Sequence, residues 1–176
     1  MTLSDLASLG AFVSGIAILI SVVYLALQLR QADRNQRALI SQGRWARDAD
    51  ILMRLADSAH SDSWHKVRLG ESDVSLAELR YARLAFRAIV GGWEDAYFQH
   101  AQHLMGEQTF DGVCSAITQA LSFRGVRVMW KWIRPGFDPG FREFIDAIAS
   151  NSSVAEPFDE VARWKSDIAA EARAHK

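Results

Sequence analysis

From Leu6 to Leu29 the sequence runs for 24 residues without a charged side chain (LASLGAFVSGIAILISVVYLALQL). Nothing else in the chain restricts its fold as much. A helix rises 1.5 Å per residue, so this segment would reach roughly 36 Å, enough for a hydrocarbon layer of about 30 Å with some tilt. A core helix in a water-soluble domain rarely runs this long without one charged position. A cleaved leader wants a basic start and a shorter apolar stretch. This N-terminus offers only Asp5 and no convincing cleavage site. The segment is therefore expected to be a retained transmembrane helix.

The flanking charges set its expected direction. Asp5 is the only charged residue before Arg30, and every Lys and Arg lies from Arg30 onward. Cationic residues stay on the cytoplasmic side of a membrane helix. The N-terminus is therefore expected outside and the remaining chain inside. Arg30, Arg34, Arg37 and Arg44 recur at helical spacing on one face, where they suit lipid headgroups or an acidic partner. Plain stop-transfer charge is the simpler reading of the same residues.

A second pattern runs inside the apolar segment. Gly10, Ser14, Ala17, Ser21, Tyr24, Gln28, Gln31 and Asn35 alternate at spacings of four and three, and none is aliphatic and bulky. The flanking faces carry Phe12, Val13, Ile16, Leu19, Ile20 and Val23. In a bilayer, helices associate by close approach at small residues and by hydrogen bonds from polar ones. A period near 3.5 also suits a left-handed supercoil. The stripe is thus expected to be a helix–helix interface in a homo-oligomer. In a larger ring the same residues would line a narrow polar pore, and in a multi-protein complex they would seat against a foreign helix.

The remaining sequence reads as helices. The three prolines of the chain are Pro135, Pro139 and Pro157, so no proline interrupts the first 134 residues. The membrane helix is expected to continue through a juxtamembrane stretch over 30–58, interrupted if anywhere at Gly43. A helical cytoplasmic domain over 59–176 follows. Ser61-Asp62-Ser63 and Gly70 to Asp73 read as loops around a short helix at Trp64. Ser75 and Glu78 form a capping box that opens a helix to about Met105, ended by Gly106. Its buried stripe is expected to be Leu79, Ala82, Phe86, Ile89, Trp93, Ala96, His100 and His103. Helices over about 109–122 and 125–133 come next, and Pro135-Gly136 breaks the second of them. Asp138 with Pro139 opens another to Ala149, and an amphipathic helix from Glu156 to His175 closes the chain. The fold class is all-α, one N-terminal transmembrane helix extended into a helical bundle.

Chemistry-bearing patterns are sparse. Cys114 is the only cysteine, which excludes an intrachain disulfide and suits a reducing compartment. It reads as a small buried hydrophobe on the face of Val113 and Ile117. Glu94, Asp95, His100 and His103 fall within three turns, but the histidines lie on the apolar stripe and the acids off it, so no metal site is assigned. Gly91-Gly92 lacks the lysine and strand of a phosphate loop, and reads instead as a place for close approach. Trp130 and Trp132, two apart on a short helix among Arg124, Arg127, Lys131 and Arg134, cannot both face one core. One of them is expected to dock on a neighbouring helix, a neighbouring subunit or the bilayer interface, which makes Trp130 and Trp132 candidates for a membrane-surface contact, with an ordinary solvated face as the plainer reading. A formal net charge of -1 argues against nucleic acid as a partner.

Three segments carry a likeness. Tyr24-Leu-Ala-Leu-Gln28-Leu-Arg30-Gln31 ends the apolar helix, Trp93 to His100 reads Trp-Glu-Asp-Ala-Tyr-Phe-Gln-His, and Trp130-Lys-Trp132 precedes Phe137-Asp-Pro139-Gly-Phe141. In this order the chain resembles a group of uncharacterised bacterial proteins with one N-terminal membrane helix. It departs from that group at Ala32-Asp33, where Asn-Thr is common, and at Asp95, where Asn is usual. The resemblance implies this architecture, and it brings no activity with it. The expected function is accordingly a homo-oligomeric, single-pass inner-membrane scaffold in the lipid bilayer, without catalysis or cofactor. A small ring-shaped channel and an accessory subunit of a larger membrane complex are the alternatives.

Overall fold

A computed structural model describes residues 3–155 and 160–174, all of whose regular elements are helices. The order is α1 (Leu3–Leu55), α2 (Ser58–Leu69), α3 (Leu76–Ala101), α4 (Glu107–Leu121), α5 (Arg124–Ile133), a 3-10 turn (Arg134–Gly136), α6 (Pro139–Asn151) and α7 (Glu160–Ala174). Glu156 and His175, the ends expected for the last helix, lie outside the described residues. The chain divides into two compact units, Met1–Arg47 and Asp48–Lys176.

The first unit is one helix. α1 passes Gly43 without a break, since one glycine inside a helix costs only about 1 kcal/mol. Every described side chain from Gly10 to Leu39 is exposed. Among the described residues, this is the one helix long and apolar enough to cross a membrane, with a mean hydropathy of 2.3 in its most apolar stretch.

The second unit has an apolar core. Phe86 and Val90 of α3, Ile117 and Leu121 of α4, Val126 and Met129 of α5, and Phe141 and Ile145 of α6 are fully buried in it. No polar or charged residue is classed as buried among those described. A side cluster of Ala96, Met105 and Phe110 extends it. Aromatic rings join the layers through α6. Phe141 lies 5.7 Å from Tyr97 and 6.2 Å from Trp130, and Phe144 lies 5.1 Å from Tyr97 and 5.7 Å from Phe110.

Local chemistry explains the boundaries. Ser75 Oγ accepts from the Glu78 N–H, and the Glu78 carboxylate accepts from the Ser75 N–H at 2.7 Å, so the expected capping box forms. Asp138 likewise opens α6 by accepting from the Gly140 and Phe141 N–H groups, with Pro139 in the first turn. Ser61-Asp62-Ser63, expected as loop, lies inside α2. Packing of Trp64 and Val67 against the core overrides the weak helix preference of the triplet.

Helices α2 and α3 end in the same way. The Glu71 N–H bonds the Lys66 carbonyl and the Gly70 N–H that of Val67, with Gly70 at φ +80°. In α3 the Leu104 N–H bonds the Gln99 carbonyl and the His103 N–H that of His100. Both are left-handed caps, but the second places His103 at φ 58°. That corrects two expectations. His103 is an exposed cap residue, not part of the buried stripe, and α3 stops at Ala101 rather than at Gly106, which instead precedes α4.

Close approach occurs at Gly125 rather than at Gly91. A Cβ on Gly125 would sit 1.7 Å from the Val67 carbonyl oxygen and 2.8 Å from that of Arg68, whereas one on Gly91 would meet nothing within 4 Å. Gly125→Ala is therefore expected to disrupt the α2–α5 contact and lower the melting temperature sharply. Gly91→Ala should stabilise by about 0.5–1 kcal/mol through helix propensity. His103→Gly should stabilise by about 1 kcal/mol by relieving the left-handed backbone. Thermal unfolding followed by circular dichroism checks all three signs.

Candidate functional site

The residues of the small-polar stripe all project from α1 and are exposed. Two of them find a hydrogen-bond partner within the helix. Ser21 Oγ donates to the Ala17 carbonyl at 2.8 Å, and Gln28 Nε2 donates to the Tyr24 hydroxyl at 2.8 Å. This matters in hydrocarbon, where an unsatisfied polar group costs several kcal/mol. Among the described residues, the surrounding apolar side chains are exposed. Phe12 is 66 % exposed and Ile20 63 %.

The arginine face is less uniform than its spacing. Arg30, Arg34 and Arg37 are exposed, and Arg37 Nε lies 3.1 Å from Asp33 one turn earlier. Arg44 is half-buried. Three arginines therefore form the accessible cationic cluster.

Trp130 and Trp132 part company, as their spacing requires. Trp130 is 3 % exposed and donates Nε1–H to Asp146 Oδ1 at 2.8 Å, while Trp132 is 53 % exposed. The surface contact expected for Trp130 is thereby corrected, because its ring is part of the core. Two of the neighbouring cations are structural as well. Arg127 donates to the Leu121 carbonyl at 2.6 Å and to Ser152 at 2.6 and 3.0 Å, fastening the ends of α4 and α6 to α5. Arg134 Nε donates to Asp146 Oδ2 at 2.8 Å, and its second nitrogen reaches the same oxygen. Arg124 and Lys131 remain exposed beside Val128 and Trp132, so α5 presents a small cationic and aromatic outer face.

The acids and histidines of α3 are dispersed. Glu94 accepts from the Asp138 N–H at 2.9 Å, and Asp95 accepts from Gln99 Nε2 at 3.0 Å. His100 stacks on Phe110 at 3.9 Å and reaches Glu107 at 3.1 Å. No group of three or more metal-ligating residues occurs among the described residues. Cys114 is partly buried against the side cluster, and burial, then the nearby Asp111, pushes its thiol pKa up.

One concave feature went unread in the sequence. A half-open cleft of about 290 Å³ is walled by Trp64 and Arg68 of α2, Ile89 and Trp93 of α3, and Ala116 and Ala120 of α4. Phe86 and Val126 form its apolar interior, and Gln119 and Phe123 complete it. These residues come from four helices and the α4–α5 joint, so no local spacing marks them.

Comparison with known proteins adds no assignment, since no family model, curated protein or solved structure matches the chain.

The Asp146 carboxyl is held below the ordinary aspartate range by its hydrogen bond with Arg134, helped by the Trp130 N–H and opposed by burial. A lowered carboxyl pKa stabilises the fold above the unfolded value and loses that contribution as pH falls through the folded one. Stability should accordingly decline below pH about 4, and Asp146→Asn should flatten that decline while lowering stability at neutral pH. Urea melts between pH 2 and pH 7 test this.

Proposed function

We propose that the chain is a single-pass membrane protein whose α1 assembles with further copies of itself through the Gly10–Asn35 stripe, displaying the helical unit as a non-catalytic scaffold. The observation that carries this reading is the exposure of every described side chain of α1 from Gly10 to Leu29. Such a surface calls for lipid, and the face from Gly10 to Gln28 offers the small and internally bonded side chains that let a second helix come close. A Cβ on Gly10 would meet nothing within 4 Å inside the chain, which leaves space there for a neighbouring backbone.

The same reading orients the protein. Arg30, Arg34 and Arg37 crowd the end of the apolar stretch nearest the helical unit, which favours a cytoplasmic position for that unit and an inner-membrane location. Trp132, Arg124 and Lys131 suit the headgroup level of the same bilayer, where indole rings and cations both gain.

Single cysteines in a Cys114→Ser background test the assembly in native membranes under mild oxidation. Substitutions at Ser14 and Ser21 should crosslink into discrete oligomers, while those at Ile16 and Leu19 should not. Crosslinks from Ile16 and Leu19 alone, or from none of the four, would overturn the self-association. Ion conductance in planar bilayers that responds to Ser21→Leu would favour a pore, and a foreign protein retained in native mass spectra would favour a mixed complex.

A further inference from the structure

We propose that the seam of α1 continues past the bilayer as a parallel coiled coil with other copies of the chain, through Gln42, Trp45, Ala49 and Leu52. This second contact rests on the proposed membrane assembly and adds a water-exposed surface to it. The spacings of four and three that generate the Gly10–Asn35 stripe lead on, without a skip, to Ala38, Gln42, Trp45, Ala49 and Leu52. α1 is one helix over this stretch, so all of them share the face of the stripe.

The chemistry of that face changes beyond Asn35. Trp45 and Leu52, 73 % and 63 % exposed, take the place of small residues. Trp45 lies 15 residues past Arg30, roughly 22 Å along a helix, which is out of reach of hydrocarbon. Large apolar side chains held in water gain from being covered, and lipid does not supply that cover there. Charge is also absent from the face. None of the charged residues from Arg30 to Arg54 falls on these positions or on the flanking Leu39, Ala46 and Met53, which are exposed as well. An uncharged strip this wide, roughly three positions in every seven, is what a helix shows to the element that packs on it.

Within the second unit, the chain's own packing uses another side of α1. Asp48, Ile51 and Leu55 are half-buried, and the Tyr81 hydroxyl donates to the Arg54 carbonyl at 3.1 Å, while Ala49, Leu52 and Met53 stay exposed. A second copy of α1 is the occupant that fits. Helices that cross one bilayer with one topology leave it parallel, so identical positions meet as layers. Gln28, Asn35 and Gln42 share one heptad position, and carboxamides placed in such layers set the register. The uncharged flanks keep like charges from facing each other across a parallel seam. Tethering in the bilayer supplies the effective concentration that a coil this short requires.

The test places single cysteines in a Cys114→Ser background of the full chain, in native membranes under mild oxidation. Gln42→Cys and Ala49→Cys should give the same discrete oligomers as Ser14→Cys. Gln36→Cys and Asp50→Cys, exposed on other sides of the helix, should not. Trp45→Glu should cut the Gln42→Cys crosslink severalfold, with the Ser14→Cys crosslink and the melting temperature unchanged. Crosslinks at Ser14 without any at Gln42 or Ala49 overturn the aqueous seam and leave the membrane assembly standing, whereas loss of all three overturns both. The seam is equally overturned by crosslinks of the same yield from Gln36 and Asp50, by indifference to Trp45→Glu, or by a crosslinked product that contains a foreign protein.

Discussion

The compact unit depends on a contact in which a side chain is missing. At Gly125 the first turn of α5 rests on the carbonyl oxygens of Val67 and Arg68. Any Cβ there would force the two helices apart, and a well-packed interior does not absorb such a shift smoothly. With α5 held at that distance, Val126, Met129, Trp130 and Ile133 enter the core as one face. Polar groups then lock the other end of the same helix. Trp130 and Arg134 converge on Asp146 of α6, and Arg127 ties α5 to the ends of α4 and α6. The short helix is thus a keystone whose outer face alone, Arg124, Val128, Lys131 and Trp132, is left to solvent or to a membrane surface.

The first unit obeys a different constraint. Every described side chain of α1 from Gly10 to Leu39 is exposed, and apolar surface exposed in this way gains from being covered. On the proposed membrane reading, lipid supplies that cover for Phe12, Ile16, Leu19 and Ile20. On the stripe face it would cover little, because Gly10, Ser14 and Ala17 have little surface to bury. This imbalance within one helix motivates the self-assembly reading. The internal hydrogen bonds of Ser21 and Gln28 are compatible with it, since they give polar groups on the stripe partners within the helix.

Much of the architecture was legible along the sequence because its signals are local. The capping box at Ser75–Glu78, the Asp138-Pro139 helix start and the uninterrupted run of α1 each depend on residues within one or two turns, and each is found as expected. The misreadings share a cause. Ser61-Asp62-Ser63 was legible as a turn by composition, but Trp64 and Val67 make that segment helix by their burial. His103 carries no glycine-like signature, yet the chain beyond it requires a left-handed residue so that Met105 can return to the core. The likeness-bearing segments Trp93–His100, Trp130–Trp132 and Phe137–Phe141 were identifiable as motifs without their purpose being readable. In the fold they meet one another, through Glu94 with Asp138, Tyr97 with Phe141, and Trp130 with Phe137 at 5.8 Å.

The sequence by itself determined that the described regular elements are helices and that one of them is long and apolar with positive charge at one end. Those properties follow from hydropathy, proline placement and capping chemistry, all of them short-range. Only the tertiary structure decided which tryptophan is core and which is surface, which arginines are committed to internal bonds, and that Gly125 rather than Gly91 is the point of contact. It alone brought Trp64, Arg68, Trp93 and Phe123 around one cleft. The physical reason is that burial and concavity depend on which helices become neighbours, and residues up to 59 positions apart have no shared periodicity to announce their meeting.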